Sequence, residues 1–257
     1  DLEGKVTKFN LTNMSTDPNG NPIALYDNTT LFSAKSTKIN GRYMYHSMDA
    51  GRLKGSNNFW MYMGTGDYER LTAKNAGPNL PDFDNLLIGI KDADFPYYKN
   101  VSTPQLSDDL DDCSDTTTDD TGILCPSSSQ RGWVIHLSNA EKVTAEPTLN
   151  KGRVLFPIFQ PTQSVNTCTT GKAFICNIDA KCGTPKNTEI GSADDLDCLE
   201  VGTGVLSKIV VFGNKLFANI AGEANTGSSQ PGKTDLVSIN AAASLIESFR
   251  NSWRENF

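Results

Sequence analysis

The residues of this sequence best suited to bind a ligand are seven aspartates that lie between positions 108 and 120. Carboxylate oxygens and loop carbonyls are the ligands that Ca²⁺ prefers. The spacing does not fit an Asp-x-Asp-x-Asp-Gly calcium loop, because no glycine occupies the sharp bend. The stretch 100–130 also contains few apolar residues, which favours a solvated acidic loop insertion. A cation site is the alternative reading, and its candidate ligands are Asp108, Asp109, Asp111, Asp112 and Asp115.

Six cysteines form the second set of residues that could do chemistry. None of them shows the Cys-x-x-Cys spacing of a zinc ribbon or redox site, and no haem-attachment motif occurs. An even number of cysteines in loops rich in Asp, Thr, Gly and Pro predicts disulfides and an oxidising compartment. Of the pairings, we favour Cys113 with Cys125, which would staple the acidic loop. The disulfide candidates are Cys113, Cys125, Cys168, Cys176, Cys182 and Cys198.

Catalytic and cofactor-binding patterns are not evident. The two histidines, His46 and His136, each lie in a strand pattern, and no Gly-x-Ser-x-Gly nucleophile motif is present. Gly64-Thr65-Gly66 and Gly202-Thr203-Gly204 resemble fragments of a phosphate-binding loop, but each lacks the lysine and the following helix that such a loop needs. We therefore predict turns at both places and assign no catalytic or cofactor-binding residue.

Composition narrows the class of protein further. The chain has 257 residues, 37 % hydrophobic residues and a net charge of −7. Nucleic-acid binding needs clustered basic side chains, which the sequence lacks. No apolar run approaches the roughly 20 residues of a transmembrane helix. The first residue is Asp1 and not Met, so we expect a mature, processed or truncated chain.

A repeated hairpin pattern dominates the stretch from Glu141 to Asp179. A strand-like run ends at a Lys-Gly pair, and the β-branched and aromatic run Arg153–Phe159 follows at once, which is typical of a tight hairpin. The start of this pattern recurs at Gly213–Phe217 and, less completely, at Gly41–Tyr45. A hairpin unit recurring along the chain predicts an all-β fold of the β-propeller kind, built from several four-stranded blades with long Cys-stapled loops.

Other segments add strands to this prediction. Lys35–Ser47 is expected to form a hairpin around Asn40-Gly41, a favoured turn pair. Asn58–Thr65 carries large apolar residues on both faces, so we expect a strand buried from two sides. Leu86–Ile90 and Gly132–Leu137 are two further strands. No long amphipathic helix or heptad repeat is present.

The order of four short motifs resembles the C-terminal β-propeller of PilY-type proteins, the tip-associated adhesins and assembly factors of bacterial type IV pili. The motifs are Asp1–Leu11 (DLEGKVTKFNL), Met61–Tyr68 (MYMGTGDY), Arg131–Leu137 with the following EKVTAEP, and Gly152–Phe156 with the later strand ending at Asp179. Val6–Phe9 replaces the family's Trp-Arg pair, and the acidic insertion between Cys113 and Cys125 is also a departure. Both leave ligand specificity open.

The resemblance implies a single domain, residues 1–257, that is the C-terminal portion of one β-propeller. The implied function is a non-catalytic pilus-tip adhesin and pilus assembly factor, which supports surface attachment and pilus extension. It would pass through the periplasm to the cell surface and contact minor pilins, and its receptor is not indicated. The family's calcium loop would lie upstream of Asp1, so calcium is implied only for the complete domain and no cofactor for this chain. We also expect another polypeptide, such as the N-terminal part of the same precursor, to complete the propeller.

Two other functions fit parts of the pattern. A quinoprotein-like propeller enzyme would use similar Gly- and Trp-bearing repeats, but it needs a central cofactor pocket that the sequence does not indicate. The third hypothesis is a structural subunit of another extracellular filament. Co-purification with minor pilins would distinguish the pilus-tip hypothesis from it.

Overall fold

The part of the chain that the structure describes consists of β-strands joined by loops. The computed structural model describes residues 2–12, 16–17, 19–113, 131–162, 171–184, 198–213, 215–224, 235–240 and 248–249. The helical content of these residues is one short 3-10 turn, Ser107–Asp109. The predicted all-β class is confirmed. The strands are β1 (Lys5–Phe9), β2 (Asn28–Ser33), β3 (Asp49–Leu53), β4 (Phe59–Gly64), β5 (Leu86–Asp92), β6 (Gln105–Leu106), β7 (Asp111–Asp112), β8 (Gly132–His136), β9 (Lys142–Val143), β10 (Thr148–Asn150), β11 (Arg153–Gln160), β12 (Lys172–Asp179), β13 (Cys198–Leu206), β14 (Val210–Phe212), β15 (Lys215–Ala224), β16 (Asp235–Asn240) and β17 (Ser248–Phe249).

The strands pair into three sheets. The N-terminal sheet has the order β1-β2-β6, and the central sheet has the order β17-β3-β4-β5-β8-β7. The C-terminal sheet has the order β10-β11-β12-β13-β15-β14, with β9 paired to β11 and β16 paired to β15. In the central sheet β3, β4, β5 and β8 pair antiparallel in chain order. Strands β11, β12, β13 and β15 do the same in the C-terminal sheet. The described residues thus contain the repeated four-stranded antiparallel unit twice.

The hairpin predicted around residue 151 is confirmed. Strands β10 and β11 pair with Asn150 opposite Arg153, which leaves a two-residue turn of Lys151 and Gly152. Both turn residues have positive φ, 46° and 78°. This is the mirror-image turn whose twist matches that of paired strands. The repeat copy at Gly213 also forms a hairpin, because Phe212 of β14 lies opposite Lys215 of β15.

Substituting Gly152 with alanine tests this turn. We expect a loss of about 1–2 kcal/mol in the free energy of unfolding, because a Cβ disfavours the left-handed backbone. Gly77→Ala is the control, since the nearest atom to a Cβ there is Cδ1 of Leu80 at 3.8 Å. Urea unfolding of the two variants gives the comparison. Equal losses in both would contradict the turn assignment.

The hairpin predicted for Lys35–Ser47 is wrong. Residues 35–48 contain no strand. The Asn40 side chain instead accepts a hydrogen bond from the Thr37 N–H at 2.8 Å and donates one to the Lys35 carbonyl at 2.9 Å. Such local bonds offer the backbone an alternative to a strand ladder. The buried Arg42 then pairs with Asp84, which holds the segment as an irregular loop.

Strand β4 confirms the prediction of a strand buried from two sides. Its residues Met61 and Met63 pack with Phe32 of the N-terminal sheet. Trp60 and Tyr62, on the opposite face, pack with Phe156 and other residues of the C-terminal sheet. The central sheet is therefore covered by apolar residues on both faces, and these two contacts form most of the core.

Candidate functional site

The aspartates that the sequence offered as cation ligands are used in protein contacts where the structure describes them. Asp108 forms an ion pair with Lys35 at 3.1 Å. A carboxylate oxygen of Asp109 accepts a hydrogen bond from the Leu106 N–H at 2.9 Å, at the start of the 3-10 turn. The hydrogen bond from Lys35, followed by that from Ser107, lowers the pKa of Asp108. Both carboxylates are therefore held in protein contacts at this turn.

The other candidate ligands lie further along the same segment. Asp111 and Asp112 form β7, which runs parallel to β8 opposite Trp133 and Val134. Within the described ranges no three His, Cys, Asp or Glu side chains are grouped to hold a metal ion. Asp115 lies outside the described residues, so a cation site that uses it stays a prediction.

The structure confirms that cysteines of this chain form disulfides, but one of them is not paired as predicted. Cys176 of β12 and Cys198 of β13 are opposite residues in the sheet and form a disulfide. Cys182 also takes part in a disulfide. Cys113 is a free, buried thiol, so the favoured pairing with Cys125 is wrong. Its Sγ lies 3.2 Å from the Cys182 carbonyl oxygen and packs in the core between two sheets. Cys125 and Cys168 lie outside the described residues.

The Cys113 thiol is expected to resist modification in the folded protein. Burial, followed by the nearby carboxylates of Asp111 and Asp112, raises the pKa of Cys113 to about 12. The reactive thiolate is therefore scarce at pH 8. Incubation with iodoacetamide at pH 8, followed by peptide mass spectrometry, should leave Cys113 unlabelled until urea unfolds the protein. Labelling within minutes in the folded state would contradict this burial.

The two histidines have different environments. His46 is half-buried, and its Nε2 has no hydrogen-bond partner among the described residues. Burial lowers the pKa of His46. The Nδ1 atom of His136 lies 2.6 Å from an oxygen of Asp84, and this hydrogen bond is the main cause that raises the pKa of His136. Asp84 also pairs with Arg42.

This His136–Asp84–Arg42 arrangement joins the central sheet to the irregular loop. Arg42 donates a hydrogen bond to the hydroxyl of Ser107 at 3.1 Å, and the Ser107 hydroxyl donates to Asp108. The serine is therefore not aligned with the imidazole as a nucleophile would be with its base. The sequence did not indicate this network, because Asp84 and His136 are 52 positions apart.

The two Gly-Thr-Gly segments are not phosphate loops. Thr65 and Gly66 donate their N–H groups to the carbonyls of Leu86 and Tyr43, at 2.9 Å each. A phosphate would need such N–H groups to be unpaired. Gly202–Gly204 is not a turn as predicted, because it lies within β13 and pairs with β12 and β15. The absence of side chains on two of the three residues allows the flanking strands to approach closely.

A polar cleft of about 500 Å³ lies beside the loop that follows β5. Its walls include two aspartates, both of them paired. Asp92 forms an ion pair with Lys8 at 2.5 Å, and Asp94 with Lys99 at 3.5 Å. Lysines thus neutralise both aspartates, and no nucleophile with an adjacent base lines the cleft within the part of the chain described.

Two adjacent ionisable residues lie at β9: Lys142 within the strand and half-buried Glu141 directly before it. Lys142 is completely buried, and its Nζ donates to the carbonyls of Leu71 and Ala73. Burial lowers the pKa of Lys142 to about 8. Glu141 accepts a hydrogen bond from Gln160 at 3.1 Å, yet burial raises its pKa to about 7. These residues anchor loops to the C-terminal sheet, which the sequence pattern did not show.

The geometry thus defines an all-β domain of stacked antiparallel sheets without an assembled catalytic centre among the described residues. No helix in that part of the chain is long and apolar enough to cross a membrane. No family model and no curated protein matches the sequence.

Among solved structures, the fold is similar to the crystal structure of the Pseudomonas aeruginosa PilY1 C-terminal domain. The TM-score is 0.53 at 14 % sequence identity, and the similarity covers 87 % of this chain. It covers 55 % of the PilY1 domain, so this chain spans about half of that domain's length. The two chains share a fold.

Proposed function

We propose that this protein is a non-catalytic binding and assembly module at the tip of a type IV pilus. The observation that carries the proposal is the similarity in fold to the PilY1 C-terminal domain over 87 % of the chain. The order of the four sequence motifs supports it independently. The proposed role is to support pilus extension and attachment of the cell to surfaces, with minor pilins as partners.

The proposed architecture is part of a β-propeller. The two four-stranded antiparallel units, β3-β4-β5-β8 and β11-β12-β13-β15, support this because they pack face to face through Trp60, Tyr62 and Phe156. Face-to-face packing of four-stranded units is how neighbouring blades contact each other in a propeller. A further polypeptide that completes the propeller is part of the proposal, because a propeller with only some of its blades would leave sheet edges exposed. The N-terminal part of the same precursor is our candidate.

The proposed location is the cell surface, reached through the periplasm. The disulfide between Cys176 and Cys198 and the disulfide of Cys182 support it, because such bonds persist in oxidising compartments. Calcium is part of the proposal only as a ligand of the complete domain.

Deletion of the gene tests the proposed function in the bacterium that carries it. We expect fewer surface pili by electron microscopy and weaker attachment, with both restored by the wild-type gene. Antibody-gold labelling should place the protein at pilus tips. Normal pili and attachment, with the protein absent from sheared pili, would overturn the proposal. A redox-cofactor absorbance band in the purified protein would favour the quinoprotein-like enzyme instead.

Native mass spectrometry of the protein isolated from that bacterium tests whether another polypeptide completes the propeller. The expected result is a complex of two different polypeptides, with the second component identified by peptide sequencing. A single polypeptide that unfolds cooperatively would rule out this part of the proposal.

A further inference from the structure

Four aromatic side chains form a continuous, partly exposed surface that none of the sites above includes. The ring centroids of Tyr43 and Tyr45 are 6.4 Å apart, and those of Tyr45 and Tyr68 are also 6.4 Å apart. His46 meets Tyr68 edge to face at 5.3 Å. Tyr68 is 44 % exposed, whereas the other three rings are half-buried. We call these four residues the tyrosine patch.

The backbone beneath the tyrosine patch is held in place. The Gly66 N–H donates to the Tyr43 carbonyl at 2.9 Å, which joins the two segments that carry the rings. Asp67 accepts hydrogen bonds from the backbone and the guanidinium of Arg70, at 3.2 and 2.6 Å. Rings supported in this way need little reorganisation to receive a ligand, which favours binding.

The charges beside the tyrosine patch are predominantly negative. The carboxylates of Asp67 and Glu69 act on the phenol of Tyr45, and Arg70 opposes them. Burial is the largest cause of the raised pKa of Tyr45, and these two carboxylates follow it. Arg70 is already paired with Asp67, whereas exposed Glu69 has no ion-pair partner among the described residues. Burial lowers the pKa of His46, which favours the neutral form of its imidazole.

We propose that the tyrosine patch, together with Glu69, is a binding site for an organic cation, an ammonium or guanidinium group. The faces of tyrosine rings carry negative quadrupole potential, and a cation placed over several rings gains from each of them. The Glu69 carboxylate supplies the formal charge that balances the ligand. The net charge of −7 on the chain favours the approach of a cation over that of an anion.

A neutral ligand fits these observations less well. Aromatic rings also stack on sugars, but the Glu69 carboxylate, whose charge acts on the Tyr45 phenol, contributes more to the binding of a cation than to that of a neutral ligand. The cation can come from the lysine or arginine side chain of a protein partner, or from a free quaternary ammonium compound. The two sources share the chemistry that the site recognises, and different probes distinguish them.

The test is an NMR titration of the isotope-labelled full chain with four probes. The probes are tetramethylammonium chloride, N-acetyl-lysine methylamide, N-acetyl-arginine methylamide and methyl α-glucoside. We expect the cations to shift the signals of Tyr43, Tyr45 and Tyr68, and the neutral sugar to leave them unchanged. A stronger response to the two amino-acid probes indicates a peptide source, whereas a stronger response to tetramethylammonium indicates a free quaternary ammonium ligand.

Matched variants measure how much individual side chains contribute to cation binding. Tyr68→Ala is expected to weaken cation binding by roughly three- to tenfold, while Tyr68→Phe, which keeps the ring, retains it. Glu69→Gln should weaken binding by roughly threefold and reduce its dependence on salt. Tyr97→Ala is the control, because Tyr97 is 77 % exposed and lies outside the tyrosine patch. Binding of the sugar in place of the cations, or equal cation affinity in the wild type and Tyr68→Ala, would overturn the proposal. The outcome is independent of the pilus assay.

Discussion

Replacing Trp133 with alanine is expected to lower the free energy of unfolding by about 3–5 kcal/mol, the range for truncating a buried tryptophan. Trp133 of β8 is completely buried. Its ring meets Phe156 of β11 edge to face at 6.5 Å and Tyr62 of β4 at 6.2 Å. Its indole N–H donates to the Ala180 carbonyl at 3.1 Å. The side chain therefore joins the central and C-terminal sheets, and its removal leaves a cavity between them.

Trp133→Phe separates packing from hydrogen bonding. It keeps an aromatic ring in place but removes the indole N–H, so we expect it to lose less stability than the alanine variant, with about 1 kcal/mol from the hydrogen bond. Urea unfolding followed by far-ultraviolet circular dichroism is the measurement, because the substitution itself alters tryptophan fluorescence. Tyr97→Ala is the surface control. A loss below 1 kcal/mol for Trp133→Ala would show that the two sheets do not depend on this contact.

The packing of apolar side chains on both faces of the central sheet explains why its core strands could be predicted from the sequence. Asn58–Thr65 carries large apolar residues at every position of its centre, and only a layer covered on both sides accommodates such a run. Gly89 makes room for this packing. It lies opposite Trp133 in the sheet, and a Cβ there would clash with the indole ring. The hairpin at Lys151-Gly152 was predictable for a different reason, since its turn chemistry is local.

Two of the failed predictions, the Lys35–Ser47 hairpin and the Cys113–Cys125 disulfide, involve a partner that is distant in sequence. Asn40-Gly41 has favourable turn residues, but the pairing of Arg42 with Asp84 and the side-chain bonds of Asn40 hold the segment as a loop. Cys113 lies 12 positions before Cys125 in the sequence, yet its thiol points into the core beside Cys182. Tertiary contacts override local signals in both places.

The tyrosine patch could not be predicted from the sequence either, because a tertiary contact brings its rings together. Tyr43 and Tyr45 lie in a segment that the sequence assigned to a hairpin, and Tyr68 follows the Gly-Thr-Gly segment after β4. Alternation along a strand would place Tyr43 and Tyr45 on one face, but nothing local brings Tyr68 to them. The hydrogen bond from Gly66 to Tyr43 does so, and it exists only in the folded chain. A motif search therefore finds the fold of this protein more readily than its binding surface.

Glu141 makes the stability of this protein depend on pH in a defined direction. Its pKa is raised from 4.5 to about 7 by burial. Between these pH values the folded state holds a proton that the unfolded state has already released, so the free energy of unfolding falls as the pH rises. The loss is nearly complete above about pH 7 and amounts to about 3 kcal/mol. Lys142 acts in the opposite direction: its pKa is lowered from 10.5 to about 8. Its contribution therefore rises with pH between those two values.

Glu141→Gln is accordingly expected to leave stability nearly unchanged at pH 4.5 and to raise it by about 3 kcal/mol at pH 8. The glutamine carbonyl can still accept the hydrogen bond from Gln160, so the substitution removes the buried charge and keeps the contact. Urea unfolding at several pH values from 4.5 to 10 gives the comparison, with Glu69→Gln on the exposed surface as the control. The rise in stability above pH 8 should persist in Glu141→Gln, because Lys142 is unchanged. A gain that is the same at pH 4.5 and pH 8 would show that the effect comes from packing and not from the cost of burying the Glu141 carboxylate.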